Sequence, residues 1–356
     1  MKKPVLKLCA LTLALSLLAG CSSSKSPAED TGSAPNTNAA VEEDKGDPIV
    51  IYLAHESNPS ESITIATEKW KELVEERSNG SIQIKLFPSS QLGSKADVIE
   101  QILMGEAIIQ ETDGSFLCEY GAPEVSMLSM PYVFDTWDQA WELLETDWFA
   151  NQKKLLAENG VHVVSANWML GERQLITTKP VYQVSDLKGM KIRVPNNVMS
   201  VAEFECFGAT STPMAVGEVY TAIQQGTVDG QENPVGFLYG GAYYEVCDYL
   251  TLTGHVKMPI QWVMSEAVWN SMSAEQQKIL VESGNEAGLF NNELCLGGED
   301  ETIQKFRDKG VTVIELDGAA LQGFKDAILP LYSNPEIIKG WSDPDLYNTI
   351  RGMLAK

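Results

Sequence analysis

The run DPIVIYLAHES, Asp47 to Ser57, opens with five nearly uninterrupted apolar residues, Ile49 to Leu53. That is the pattern of a strand covered on both faces rather than one. Reading onward, SESITIATEKWKELVEERSNG (60–80) places Ile65, Trp70, Leu73 and Val74 near one helical stripe and stops at Asn79-Gly80. SIQIKLFP (81–88) alternates Ile82, Ile84 and Leu86 with polar neighbours, KADVIEQILMGE (95–106) returns to helical spacing, and AIIQETDG (107–114) gives a third strand. Strand, helix, strand, helix, strand in this order predicts a parallel sheet with helical crossovers, hence an α/β fold.

The pattern repeats further along. TWDQAWELLETDWFANQKKLLAENG (136–160) predicts one long amphipathic helix closed by Asn159-Gly160, and strands follow at 161–166, 174–178 and 191–194. Helices are expected over 198–208 and 216–226, a loop at DGQENPVG (229–236), and a mostly helical tail from Ser273 with one strand near 311–314. Two such stretches predict two α/β lobes with a cleft between them, where ligands sit outside the carboxyl ends of strands.

The first residues concern location rather than fold. Lys2, Lys3 and Lys7 precede an apolar run from Leu8 to Leu18, too short for a comfortable membrane span of roughly 20 residues. The run ends in Leu18-Ala19-Gly20-Cys21, which resembles a bacterial lipobox and implies a signal peptide at 1–20 and a lipidated Cys21, tethered to a membrane rather than spanning it. Residues 22–48 have no aromatic and many Ser, Pro, Ala and acidic positions, the composition of a disordered tether. Against 26 Lys and Arg stand 49 Asp and Glu, a formal net charge of −23, so nucleic acid is a poor partner. Cys118, Cys206, Cys247 and Cys295 follow no CxxC spacing, and the sequence cannot pair them.

In so acidic a chain the five arginines carry weight: Arg77, Arg173, Arg193, Arg307 and Arg351. Arg193 lies in KGMKIRVPNN (188–197), where period two puts Ile192 and Val194 on one face and Lys191 and Arg193 on the other, before Pro195 ends the strand. Arg173 lies in MLGERQLITTKP (169–180), two residues after a glycine that permits close backbone approach. A guanidinium stays charged and offers two parallel donors that match a carboxylate.

GERQLITTKPVYQVSDLKGMKIRVP (171–195), GATSTPMAVGEVYTAIQQGTVDGQENP (208–234) and YYEVCDYLTLTGH (243–255), with SNGSIQIKLFPSSQLG (78–93) and PEVSMLSMPYVFD (123–135), resemble the solute-binding proteins of tripartite ATP-independent periplasmic (TRAP) transporters, the DctP-like group, from Ile49 to about Tyr332. The resemblance implies a two-lobed periplasmic-binding-protein-like fold with a long helix shared between lobes. It implies an extracytoplasmic receptor that closes on a small organic acid and delivers it to the membrane permease subunits, with no covalent chemistry. The implied division is 49–169 with 259–298 in lobe I and 170–258 with 299–356 in lobe II. Residue by residue, Arg193 matches the arginine that pairs with the solute carboxylate, Arg173 the second arginine of that pocket, and Asn233 the asparagine bonded to the same carboxylate. Asp113 matches a ligand-touching position of the first lobe, and His55 and Glu56 lie in the loop that meets the distal end of the solute.

Two departures bear on the substrate. Val216 stands where many relatives have an aromatic, which implies either a larger pocket or a stacking role moved to another residue such as Trp168 or Tyr239, and Lys95 stands where a relative has an acid. Glu56 and Asp113 with His55 nearby suit a hydroxyl-rich acid such as a uronate or other sugar acid, whereas a C4-dicarboxylate would use Lys95 as a second positive group. His55, His162 and His255 fit no metal spacing, SDPDLY (342–347) lacks the form of a calcium loop, and no nucleotide- or cofactor-binding motif is present. A secreted hydrolase of acidic sugars, the reading from another class, would need paired carboxylates or a nucleophile with a base, and the sequence has a motif for neither. Trp137, Trp141 and Trp148 read as core and lobe contacts.

Overall fold

The computed structural model describes residues 47–355. The expected signal peptide, Cys21 and nearly all of the tether lie outside the described residues. The opening elements are β1 (Ile49–Ala54), α1 (Ser62–Arg77), β2 (Ile82–Phe87), α2 (Lys95–Leu103) and β3 (Ile108–Thr112). β1 is parallel to both β2 and β3, with Leu53 facing Leu86 on one side and Ile109 on the other. Ser94 and Asp97 close a capping box at the start of α2, which makes Lys95 the first residue of that helix.

After the short α3 (Gly114–Leu117), the expected long helix over 136–160 is two helices, α4 (Trp137–Leu144) and α5 (Asp147–Glu158). The break falls at Thr146, whose hydroxyl accepts the Phe149 backbone N–H and so offers a fresh N-cap inside the apolar periodicity. The strands expected at 161–166 and 174–178 are instead one 17-residue strand, β4 (Val161–Thr177), whose ladder slips at four places between Val163 and Leu175. β-Bulges carry the chain through a stretch that period-two reading breaks in two.

Next come β5 (Lys191–Val194), α6 (Val198–Cys206), β6 (Thr210–Pro213), α7 (Val216–Gln224), β7 (Gly230–Pro234), α8 (Val235–Gly240) and β8 (Tyr249–Ser265). β7 corrects the loop expected at 229–236: all five of its residues are buried, parallel to β5 and antiparallel to β4. A strand whose buried side chains are Gln231, Glu232 and Asn233 carries no hydropathy signal. The chain ends in α9 (Glu266–Ser271), the 35-residue α10 (Ala274–Asp308), β9 (Thr312–Glu315), α11 (Gly318–Ile328) and α12 (Leu346–Leu354).

The strand order is β2-β1-β3-β8-β4-β7-β5-β6, with β9 on β8. β3 joins the C-terminal part of β8 (Gln261–Met264), while β9 joins its N-terminal part (Tyr249–Leu252) and β7 the C-terminal part of β4. The two long strands thus run through both lobes. Lobe I is centred on Trp70, Trp168 and Trp262, whose ring centroids lie 5.0–5.6 Å apart. α10 lies against this cluster because residues 284 and 288 are glycines: a Cβ there would come within 2.6 Å of Trp70 and 2.7 Å of Trp168. Helix carbonyls on this face also accept from the rings, Leu280 O from Trp70 Nε1 and Gly284 O from Trp168 Nε1. At its other end Phe306 of α10 is buried in the second lobe's core with Val219, Val228 and Leu238.

α12 packs on α4 of the first lobe, where Leu354 O accepts from Gln139 Nε2 and Arg351 pairs with Asp135 at 2.8 Å. Trp137 and Trp148 pack against the core, and Trp148 Nε1 donates to Glu124. The four described cysteines are free thiols. Among the described residues no helix is long and apolar enough to cross a membrane.

Candidate functional site

The parallel strands of both lobes point their carboxyl ends at one cavity of about 70 Å³. From the first lobe come Glu56 after β1, Lys95 at the head of α2, Glu111 in β3, Asp113 just beyond it and Phe116 in α3. From the second come Arg193 in β5, Met214 after β6, Val216 at the start of α7, Asn233 in β7 and Phe237 in α8, with Leu170 and Arg173 from β4. This is where open α/β sheets hold ligands. Asn197 Nδ2 donates to Ser115 Oγ at 3.1 Å, so the lobes touch beside the cavity.

The two arginines differ sharply in their surroundings. Arg173 is locked by Glu232: Nε and Nη2 both reach its carboxylate, the latter at 2.6 Å, and Nη2 also reaches its carbonyl. Burial would raise the Glu232 carboxyl, but the charge of Arg173 and hydrogen bonds from His255 and Arg173 hold it at about 2. Arg173 itself is pushed up, the charge of Glu232 overcoming the burial that would lower it. Gly171 permits this packing: its φ is +133° and a Cβ there would lie 2.7 Å from Pro234.

Arg193 is buried to 4% exposure, between Ile192 and Val194 that face the core as expected. Its Nε and Nη2 both donate to Met214 O, at 3.0 and 2.8 Å. The other four arginines each pair with a carboxylate, and Arg193 alone has none among the described residues. Burial pulls its pKa down, the mark of a charge short of compensation.

The opposite wall is acidic. Lys95 Nζ lies 3.1 Å from Asp113, 3.6 Å from Glu111 and 3.7 Å from Glu56. Burial would lower Lys95, but the charges of Glu111, Asp113 and Glu56 hold it raised. Asp113 is held low despite its burial by Lys95 and Ser115, while burial raises Glu111.

Of the residues singled out from the sequence, Arg193, Arg173, Asn233, Asp113, Glu56, Lys95 and Val216 meet at this cavity. His55, Trp168 and Tyr239 do not. His55 is buried behind the wall, 3.4 Å from Thr67 Oγ1 and edge-on to Trp262, with burial lowering its pKa to about 4. Trp168 is fully enclosed in the tryptophan cluster. Tyr239 lines a separate cavity of about 310 Å³, which shares Leu170 and Phe237 with the first. The aromatic faces at the ligand cavity are Phe116 and Phe237, neither of which stands at the expected aromatic position. Glu111 and Glu232 were also missed. Period two within QET and QEN would have put each acid on a defined face, had the second been read as a strand.

A two-lobed sheet joined by two long strands, enclosing a charged cavity at converging strand ends, defines a ligand-trapping binding protein. Residues 53–337 match the family model described as bacterial extracellular solute-binding protein, family 7 (DctP). The chain is similar to the 2,3-diketo-L-gulonate-binding periplasmic protein YiaO of Escherichia coli, 34% identical over 280 residues, 78% of this chain and 84% of that protein. Among solved structures it resembles a TRAP periplasmic solute-binding protein from Ochrobacterium anthropi with bound L-fuconate, at 38% identity and TM-score 0.82. It also resembles one from Actinobacillus succinogenes with bound L-galactonate, at 34% identity and TM-score 0.81. Both alignments cover 86% of this chain and 99% of the other. The chain belongs to the DctP family of TRAP-transporter solute-binding proteins. This is a family of extracytoplasmic transport proteins that bind small acids and work with a membrane permease.

Proposed function

We propose that this protein is the receptor for a singly charged, polyhydroxylated acid, an aldonate or uronate of about the size of those its relatives hold, and that it delivers the acid to its permease without chemical change. The observation that carries this reading is the buried Arg193 without a counter-ion. A desolvated guanidinium is costly until an anion meets it, and a carboxylate meets its fork with two parallel bonds. Nη1 and the second hydrogen of Nη2, neither committed to Met214, form the fork left for that contact. Asn233 lines the same cavity as a neutral donor, while Arg173, already committed to Glu232, fixes the shape and potential of the wall. Across the cavity, Glu56 and Asp113 are acceptors suited to hydroxyl donors, and Phe116 and Phe237 offer apolar faces to the carbon skeleton.

Closure shifts a population from open to closed by contacts that exist only in the closed state. On this reading the lobes divide at Met169–Gly171 and Pro259–Met258, a reading supported by the slip in the β4–β8 ladder at that point. Anchoring through a lipidated Cys21 completes the proposal, with residues 22–48 as the tether.

Titration calorimetry tests it with L-galactonate, L-fuconate and D-galacturonate against succinate and malate. A sugar acid is expected to bind tightest. A dicarboxylate bound tenfold tighter than every sugar acid would overturn the substrate class while leaving the family untouched.

A further inference from the structure

We propose that Lys95 is a latent second anion site held shut by its three carboxylates, and that the charge on Glu56 makes this cavity select a hydroxy monoacid over the matching diacid. The inference rests on the sugar-acid reading above and specifies its charge.

A cation at the first position of α2 faces the positive end of a helix dipole and is disfavoured there. Lys95 nonetheless sits at 6% exposure, its ammonium also over the Phe116 ring at 5.1 Å. Glu56, Glu111 and Asp113 make that tenable, and together they outnumber it. The cavity therefore has one end short of negative charge, at Arg193, and one end over-supplied with it. A monoacid balances the first and presents hydroxyls to the second. A second carboxylate on the same skeleton would enter an acidic wall whose ammonium, Lys95, is already taken.

The three acids are not equivalent. Asp113 caps α3 and accepts from Ser115 N at 3.0 Å and Ser115 Oγ at 2.5 Å, so its removal disturbs the fold. Glu111 is enclosed within β3. Glu56 is farthest from Lys95 and its side chain is the most exposed, 19% against 2% and 6%. Its charge can be removed without dismantling the wall, and removing it frees Lys95 to turn toward a ligand.

L-Galactonate and galactarate differ only in a terminal hydroxymethyl against a carboxylate, and calorimetry at pH 7.5 compares them. The natural sequence is expected to favour galactonate at least 100-fold. Glu56→Gln should narrow that ratio at least tenfold, mainly by tightening galactarate. In a Lys95→Met background the same change should leave galactarate unimproved. If the double variant does not fold, the galactarate affinity of Glu56→Gln decides, since loss of a hydroxyl acceptor can weaken galactonate but cannot tighten galactarate. A ratio within threefold of the original in Glu56→Gln overturns the assignment of Lys95 while leaving the sugar-acid reading intact, as does equal affinity of the natural sequence for both acids. Binding of neither acid overturns both.

Discussion

Arg173 and Arg193 are the same residue type, twenty positions apart, both nearly fully buried beside one cavity. One is held by a carboxylate of its own chain and the other only by the carbonyl of Met214. The difference separates scaffold from receptor. A paired guanidinium has spent its directional bonds and contributes shape, whereas an unpaired one keeps an unfilled demand for an anion. Arginine identity is visible in a sequence, but which arginine is already satisfied is decided by a partner 59 positions away.

The sharpest way to break this comparison is to remove Glu232. Glu232→Gln leaves Arg173 buried without its partner and should cost about 3–5 kcal/mol of unfolding free energy at pH 7, read by urea denaturation. The Glu232 carboxyl is held below its ordinary value near 4.5. Its contribution is therefore complete above that pH and lost as pH falls toward 2, and the gap between variant and natural sequence should shrink over the same window. Arg193→Ala removes a cation without a protein counter-ion and should change ligand-free stability by no more than about 1 kcal/mol. Equal losses in the two variants would erase the distinction.

Affinity should show the reverse. Arg193→Ala is expected to weaken the best sugar acid by about 2–5 kcal/mol, roughly 30-fold to several thousandfold by calorimetry, with circular dichroism as the folding control. Arg193→Lys should fall between, because the planar fork is lost while the charge remains. Binding within threefold of the natural sequence in a folded Arg193→Ala protein would place the carboxylate elsewhere. A smaller effect sharpens the picture: Asn233→Ala removes one neutral donor and should cost about 1 kcal/mol of affinity. Smallest in affinity is Cys21→Ala, expected to leave binding unchanged while fractionation finds the protein released from membranes. A variant still membrane-bound would refute the anchor.

The opening elements could be read directly because their burial and periodicity coincide: Ile51, Leu53, Ile82 and Ile84 are all in the core. The middle was harder where polarity serves the cavity. Gln231, Glu232 and Asn233 form a buried strand, and hydropathy reads such a run as loop. Strand alternation together with the family resemblance singles out Arg193, whereas the resemblance alone singles out Asn233. Trp168 was misjudged because an aromatic near a site looks the same in sequence whether it faces ligand or the glycines of α10. His55 follows the first strand immediately, yet its ring faces Thr67 and Trp262 rather than the cavity, an orientation that adjacency to Glu56 did not reveal.

The irregular ladder of β4 has a mechanical meaning. Its slips are concentrated between Val163 and Leu175, the stretch that carries Leu170 and Arg173 to the cavity. A ladder that is already interrupted has fewer bonds to break when it is twisted, so this stretch is compliant where a regular strand would be stiff. Arg173 thereby sits on an interrupted ladder rather than a regular one, so a small change of twist in β4 would move its guanidinium, and Glu232 with it, relative to the cavity.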